Sequence, residues 1–267
     1  MVKKIVVIGL ENLGHVRPGD DVAQLIFNDA KSEGHDLMDD DIIVVSHKII
    51  SKADGLLVNL ASVKPSRRAV ALAKRTGKDP RLMELILRDS ARVLRADREA
   101  IIVQRRDEFI CLNAGVDKSN VDGRVTYSRL PEDADAAARD LRLSLERSSG
   151  KRLAVVVGDT YSRPFRVGQV EFAIGVSGIE PIVDYRGQED MFGYKLRFKY
   201  VGLADEIAAA AELVMGQGTE QIPVAIVRGL PRVVRNESKG LSKKLLMDKK
   251  ADLFSHILQT VPMRKRT

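Results

Sequence analysis

The stretch Gly158-Asp-Thr-Tyr-Ser-Arg-Pro-Phe-Arg166 contains the residue types in this chain that are best suited to chemistry. It follows an apolar run, residues 153–157, which predicts a buried strand that ends at Gly158. A carboxylate and a hydroxyl, Asp159 and Thr160, then precede two arginines, Arg163 and Arg166. This combination suits a hard divalent cation and a phosphate. Taken alone, the Asp-Thr pair is more typical of a turn or a helix cap after a strand.

A second stretch, residues 111–120, has the same character. It leaves a predicted strand at 109–112 and presents Asn113, Asp117 and Asn120 around a glycine turn. These residues alone could also be turn formers. Two such loops together predict one metal–nucleotide site that is built from distant parts of the chain.

The composition limits the class of protein. The chain has 267 residues, of which 44% are hydrophobic and 30% charged, and these values are typical of a globular protein with an apolar core. A single cysteine, Cys111, excludes a disulfide framework and predicts a cytoplasmic setting. The apolar run at residues 5–8 is too short for a signal peptide or a membrane span and predicts a first strand.

The net charge of +7 suggests anionic partners. Aromatic residues make up only 4% of the chain and Trp is absent, so bases would find few side chains on which to stack. We therefore rank an RNA-binding surface below a site for anionic small molecules, and we expect neither nucleic acid nor a membrane as a partner.

Strand and helix patterns alternate along the chain. The predicted strands are residues 5–8, 41–46, 100–103, 109–112, 153–157 and 222–227. The predicted helices are 65–74, 79–94, 131–148, 203–215 and 241–258, and a further helix is predicted to begin in the segment 20–27. This order predicts an α+β or mixed α/β fold rather than a regular doubly wound sheet. We expect a core over residues 1–230, with a division into two subdomains near residue 150 as an alternative, and a C-terminal helical extension over 231–267.

Two common nucleotide-binding motifs are absent from the sequence. It contains neither a P-loop nor a Gly-x-Gly-x-x-Gly fingerprint after the first strand. Its four histidines are scattered, so a zinc hydrolase is not expected.

Six motifs in a fixed order resemble the coenzyme F-420-0:L-glutamate ligase family, the GTP-dependent gamma-glutamyl ligases of the deazaflavin coenzyme. They are Asn113-Ala-Gly-Val-Asp-Lys-Ser-Asn120, Gly158-Asp-Thr-Tyr-Ser-Arg-Pro-Phe-Arg166, Phe172-Ala-Ile-Gly-Val-Ser-Gly178, Ala204-Asp-Glu-Ile-Ala208, Met215-Gly-Gln-Gly218 and Ile222-Pro-Val-Ala-Ile-Val-Arg-Gly229. The resemblance runs from about residue 9 to 230. It implies a gamma-glutamyl ligase-like fold and an intertwined homodimer.

The resemblance also implies a role for particular residues. Asp117 and Asp159 match ligands of a divalent metal, and Thr160 and Gln217 match ligands of a second one. The implied cofactors are Mg²⁺ or Mn²⁺, as two ions, with K⁺ as a further candidate. The residues that match nucleotide contacts are Leu13, Gly14, His15, Val16, His47, Lys48, Lys52, Asn120, Met215, Gly216, Gln217, Gly218, Thr219, Glu220, Gln221 and Ile222.

The implied reaction uses GTP to activate the carboxylate of coenzyme F-420-0 as an acyl phosphate. The amine of L-glutamate then attacks, and a second round adds a gamma-linked glutamate. Arg163 and Arg166 are candidate catalytic clamps for a phosphate or a carboxylate, beside Asp117 and Asp159.

The chain departs from the family pattern at three positions. Gln217 stands where some relatives have Glu, which removes one charge from the second metal position, and Gly158 and Ser162 replace an expected Thr and Gly. A related carboxylate–amine ligase with a different acceptor, or a non-catalytic nucleotide-binding protein, are therefore the alternatives. His47 and Lys48 have two open interpretations, a nucleotide contact and plain solvent exposure. Asp205 and Glu206 are more typical of acids that stabilise a helix N-terminus, and Gly216 and Gly218 of a helix C-terminus.

Overall fold

A computed structural model describes residues 4–230, 239–248 and 251, and these residues form two compact units. The first unit consists of the described residues within 4–56 and 130–245. The second consists of residues 57–129 with 246–248 and 251. The chain therefore leaves the first unit after residue 56, forms most of the second unit, and returns to the first unit at residue 130.

The regular elements are given in chain order. The helices are α1 (Val22–Ser32), α2 (His47–Ala53), α3 (Arg67–Thr76), α4 (Pro80–Asp89), α5 (Ala134–Ser149) and α6 (Leu203–Met215). The strands are β1 (Val6–Gly9), β2 (Ile42–Ser46), β3 (Leu57–Asn59), β4 (Ser90–Ala96), β5 (Ile101–Arg105), β6 (Ile110–Leu112), β7 (Thr126–Ser128), β8 (Ala154–Ser162), β9 (Gln169–Ser177), β10 (Val183–Asp184), β11 (Tyr200–Val201) and β12 (Val224–Arg228). Short 3-10 turns lie at Leu60–Ser62, Asn113–Gly115 and Ser242–Leu245.

A five-stranded mixed sheet forms the centre of the first unit, in the order β1-β12-β2-β8-β9. Strands β2 and β8 are parallel, and the other neighbours are antiparallel. Successive side chains of a strand point to opposite faces, so Ile43 and Val45 pack with α1 and α5, whereas Ile42 and Val44 pack with α6. Both faces of the sheet are thus covered, and each fully buried aliphatic side chain contributes about 1.5–3 kcal/mol to the free energy of folding.

Local sequence explains where the helices of this unit begin and end. The side chains of Asp21 and Asp133 accept hydrogen bonds from backbone N–H groups in the first turns of α1 and α5. Gly150 ends α5 with a φ of 69°, in the left-handed region that favours glycine. No helix among the described residues is long and apolar enough to cross a membrane.

An arm, residues 183–201, extends from the first unit as a hairpin between β10 and β11. Its strands pair antiparallel, and the Arg186 guanidinium lies 4.7 Å from the centre of the Tyr200 ring. Five large side chains of the arm are exposed to solvent: Met191, Phe192, Tyr194, Phe198 and Tyr200.

The second unit contains the helix pair α3 and α4, the antiparallel meander β4-β5-β6 and the ladder β3-β7. Its own core includes Met83 and Ile86 of α4 and Val103 of β5. Each unit therefore buries a separate hydrophobic cluster.

The mixed α+β class predicted from the sequence is confirmed, and helix α6 has the predicted bounds. The predicted helix at 79–94 is wrong beyond Asp89, because residues 90–96 pair with β5 as strand β4. The strand predicted at 153–157 is also too short, since β8 continues through Ser162. Of the predicted helix at 241–258, Ser242–Leu245 forms a 3-10 turn, and most of the remainder lies outside the described residues.

Candidate active site at the carboxyl edge of the sheet

Strands β2 and β8 run parallel and bring their carboxyl ends to the same edge of the sheet, where Ser46 lies opposite Gly158. Strand β2 ends there, but β8 continues beside β9 as a two-stranded ribbon. Asp159 and Thr160 therefore lie within a strand, and the prediction that the strand ends before them is wrong. A register shift between Val157 and Gly158 marks the point where the ribbon leaves the sheet.

His47 begins α2 directly after β2 and is 1% exposed, so the alternative of a solvent-facing histidine is wrong. Its Nε2 lies 3.5 Å from Oδ1 of Asp159 without forming a hydrogen bond, and it has no hydrogen-bond partner among the described residues. Its Nδ1 lies 3.4 Å from Oγ of Ser51 on the next turn of α2. The imidazole is thus held beside the Asp159 carboxylate with one ring nitrogen available.

Glu171 is a residue of this edge that the sequence did not single out. It lies on β9 opposite Thr160, is 3% exposed, and its backbone N–H donates to Oε2 of Glu212. Burial, together with the nearby charges of Asp159 and Glu212, raises the pKa of the Glu171 carboxyl to about 8. The positive charge of Lys48 lowers the pKa of Glu171 and so offsets part of this rise. The only signal in the sequence was an acid inside the otherwise apolar pattern of β9.

The absence of a side chain at Gly158 leaves the space that the Glu171 carboxylate occupies. A Cβ at position 158 would lie 2.3 Å from Oε1 and 2.9 Å from Cγ of Glu171, well inside van der Waals contact. The Glu171 side chain therefore occupies the volume in which a side chain at position 158 would begin.

Two lysines of α2 give this edge positive charge. Lys48 and Lys52 are both half-buried and one helical turn apart. Burial, and then the charge of Lys48, lower the pKa of the Lys52 ammonium. Two lysines on successive turns of one short helix favour the binding of a multiply charged anion such as a phosphate chain.

The arginines that follow Asp159 are placed differently from each other. Arg163 is half-buried, and its Nε has no hydrogen-bond partner among the described residues. Arg166 is exposed in the turn between β8 and β9, next to Phe165, whose φ is 62°.

The loop after α6, residues 215–222, reaches the same edge. The side-chain amide of Gln217 donates to Oε2 of Glu171 at 3.4 Å. Gly216 ends α6, and the Glu220 carboxylate fills the space beside it and accepts the N–H of Gly218. Gly216 is thus a helix C-terminus, as one alternative predicted, while Gln217 contacts the acid of the site.

The N-terminal loop, residues 13–16, is anchored at both ends. Leu13 and Val16 are buried, whereas His15 between them is exposed. Just before the loop, Oε1 of Glu33 accepts hydrogen bonds from the backbone N–H groups of Glu11 and Asn12. The backbone of Gly14, with a φ of 70°, is open to an incoming ligand.

The loop of the second unit that carries Asp117 and Asn120 begins with an unusual turn. Asn113, Ala114 and Gly115 have successive φ values of 52°, 58° and 70°, all in the left-handed region. Oδ1 of Asp117 accepts the backbone N–H groups of the next two residues, Lys118 and Ser119. Asn120 also has a positive φ, of 52°.

Asp205 is structural, as its place in the first turn of α6 predicted. Its Oδ1 accepts the backbone N–H of Ala173 on β9, and burial raises the pKa of its carboxyl. Glu206 is exposed.

The donor set of the edge fits Mg²⁺ or Mn²⁺, since it consists of carboxylate, hydroxyl and amide oxygens. Within the described residues, no three His, Cys, Asp or Glu side chains stand close enough together to hold a metal ion by themselves. Mg²⁺ is commonly held by one or two carboxylates together with substrate phosphates.

Comparisons with known proteins identify the family of the chain. The family model described as F420-0:Gamma-glutamyl ligase matches residues 12–229. The coenzyme F420:L-glutamate ligase of Methanothermobacter thermautotrophicus is 43% identical over 94% of this chain and 98% of its own length. The proteins of the same name from Methanopyrus kandleri and Methanocaldococcus jannaschii are 43% and 37% identical, over 90% and 94% of this chain and 93% and 97% of their own.

Proposed function

Because the chain belongs to the F420-0:gamma-glutamyl ligase family, we propose that it is a coenzyme F420:L-glutamate ligase that uses GTP. The observation that supports this most strongly is the clustering of Asp159, Glu171, Lys48 and Lys52 at one edge of the sheet. Acids for a divalent cation and bases for a phosphate chain are the groups that such a reaction requires.

The chemistry sets the order of events. A carboxylate is a poor acyl electrophile, so the terminal phosphoryl group of GTP first passes to the acceptor carboxylate of coenzyme F420-0 and GDP leaves. The amine of L-glutamate attacks the resulting acyl phosphate, inorganic phosphate departs, and an amide bond remains. The gamma-carboxylate of the added glutamate is the acceptor in a second round.

The charge and position of the residues in the first unit suggest a role for each of them in this reaction. Lys48 and Lys52 bind the phosphates of GTP, and Arg163, whose Nε has no hydrogen-bond partner among the described residues, binds the acceptor carboxylate or the transferred phosphoryl group. His47 lies beside the Asp159 carboxylate, with its Nε2 3.5 Å from Oδ1. Arg166, on the exposed turn, is a second candidate clamp for a substrate phosphate or carboxylate.

Two further groups of residues complete the proposed site. Asp159, Thr160 and Gln217 would hold divalent cations, and Asp117 is a further proposed metal ligand. A bound Mg²⁺ or Mn²⁺ would supply positive charge that stabilises the phosphoryl transfer. The loops at 13–16 and 215–222 and the side chain of Asn120 bind the nucleotide.

We also propose a homodimer, which the exposed apolar side chains of the arm support. Two of them, Met191 and Phe192, are 88% and 86% exposed. Apolar side chains clustered on one projecting hairpin are typical of a surface that a second copy covers.

The experiment that tests the function is a ligation assay with GTP, Mn²⁺, L-glutamate and coenzyme F420-0, read by mass spectrometry. We expect the acceptor to gain the mass of one and then two glutamate residues, with stoichiometric GDP. In Asp159→Asn the rate is expected to fall by on the order of a hundredfold or more, the scale of losing a group that stabilises transition-state charge.

Asp140→Asn is the matched control, because Asp140 is an exposed acid of α5, away from the edge of the sheet that carries Asp159. It should keep the rate of the unmodified protein. GTP hydrolysis that needs neither glutamate nor the deazaflavin acceptor would show that the ligase assignment is wrong.

A further inference from the structure

The loop residue Gln217 and the strand residue Glu171 meet in a contact that the proposed metal site does not explain. The amide nitrogen of Gln217 lies 3.4 Å from Oε2 of Glu171. Gln217, the proposed ligand for the second cation, is neutral. A cation bound there by neutral groups alone would be weakly held, because an amide oxygen attracts a dication less than a carboxylate does.

The Glu171 carboxylate is placed to supply the missing charge. It is almost fully buried and lies close to the negative charges of Asp159 and Glu212, which the positive charge of Lys48 offsets only in part. A buried acid among other acids is costly unless a cation neutralises it. Its position depends on Gly158, which leaves room for its carboxylate.

An independent feature of the same edge also indicates a ligand. The His47 side chain is 1% exposed, and its Nε2 faces Asp159 without a hydrogen-bond partner among the described residues. A buried nitrogen in this state is expected to gain a partner when the site is filled.

We propose that Glu171 is a further cation-binding residue of this enzyme, which faces the same ion as Gln217 and gives that ion the negative charge that Gln217 lacks. This inference rests on the proposed metal–nucleotide site. Gly158 acts as a positioning residue, since any side chain there would displace the carboxylate of Glu171.

The test is Mn²⁺ binding, measured by electron paramagnetic resonance on the full chain with a non-hydrolysable GTP analogue. We expect Glu171→Gln to weaken binding of one Mn²⁺ by about 10–100-fold, the range for residues that support a metal site. Gly158→Ala should weaken binding of the same ion, because the new Cβ displaces the carboxylate of Glu171. The double variant Glu171→Gln/Gln217→Glu should restore most of the affinity by returning one carboxylate to the site.

Glu206→Gln is the matched control, since Glu206 is an exposed acid in the first turn of α6. Unchanged Mn²⁺ affinity in Glu171→Gln, or no recovery in the double variant, would overturn the inference. Circular dichroism of each variant shows whether a loss of Mn²⁺ affinity is caused by unfolding. If Glu171→Gln unfolds, Gly158→Ala, which retains the acid, decides whether Glu171 binds the ion. If the unmodified protein binds no Mn²⁺ with the nucleotide, it is the proposed function that fails.

Discussion

Arg105 donates a hydrogen bond from Nη1 to the carbonyl oxygen of Ala114 at 3.0 Å, and both residues are buried. Ala114 is the middle residue of the left-handed turn that precedes Asp117. Non-glycine residues in this conformation cost free energy and persist only where the surroundings hold them. Arg105 is one group that holds this turn.

Replacing Arg105 with Met is therefore expected to lower the free energy of unfolding by about 1–3 kcal/mol, through the loss of a buried charged hydrogen bond. Mn²⁺ affinity should fall as well, because Asp117 loses its fixed position. Urea unfolding and Mn²⁺ titration measure the two effects. Arg106→Met is the control, as Arg106 is exposed on the neighbouring turn. Equal stability of the two variants would show that Arg105 does not hold the turn.

The pKa of Glu171 predicts how the stability of the metal-free protein depends on pH. This pKa is raised from 4.5 to about 8 on folding, so the folded protein keeps a proton that the unfolded chain releases. The resulting stabilisation is complete below about pH 4.5 and is lost as the pH rises to about 8, with a magnitude on the order of 1–4 kcal/mol.

Glu171→Gln should consequently lose less stability than the unmodified protein between about pH 5 and 8.5 when melting is measured in EDTA, because an amide does not titrate. Glu206→Gln should follow the unmodified protein. Parallel melting curves for Glu171→Gln and the unmodified protein across this range would mean that the carboxyl is already ionised at low pH.

Lys52→Gln is expected to weaken binding of a GTP analogue by about tenfold, the free energy of one charge-assisted hydrogen bond to phosphate. The lowered pKa of Lys52 shows that its charge is held at a cost, which a bound phosphate would offset. Calorimetry at two salt concentrations measures the effect. Lys31→Gln, an exposed lysine in the last turn of α1, is the control and should bind normally.

The arm should determine the oligomeric state. Changing Phe192 and Phe198 to Ser removes two of its exposed aromatic rings, and we expect light scattering to show a dimer for the unmodified protein and a monomer for this variant. Met38→Ser, which removes an exposed apolar side chain outside the arm, should remain dimeric. A monomeric unmodified protein at micromolar concentration would contradict the assignment of the arm.

The sequence predicted elements well where the signal was local. Helix α6 has acids in its first turn and an alanine-rich apolar face, and its bounds follow from these features. Helix α4 was predicted too long because the apolar pattern continues past Asp89, whereas the end is decided by pairing of β4 with β5, a contact distant in sequence. Helix α2 was missed because its seven residues include two isoleucines that favour strands.

The same distinction applies to the site. Asp159 and Thr160 stood out from their residue types and neighbours along the chain. Glu171 did not, because its importance comes from Gly158 on the adjacent strand and from Gln217 in a loop 46 residues away. The prediction that Asp117 and Asp159 serve one site stays a prediction.

The absence of a side chain at Gly158 implies an order in which the residues at positions 158 and 171 were substituted during evolution. A glutamate at position 171 cannot place its carboxylate as observed while position 158 carries a Cβ, because the two groups would overlap. A glycine at 158 alone, by contrast, leaves only a small void. Glycine is therefore expected to arise first and the glutamate second, and reversion of glycine becomes costly once the glutamate is in place. Across related chains, Glu at 171 should occur with Gly at 158 far more often than chance allows.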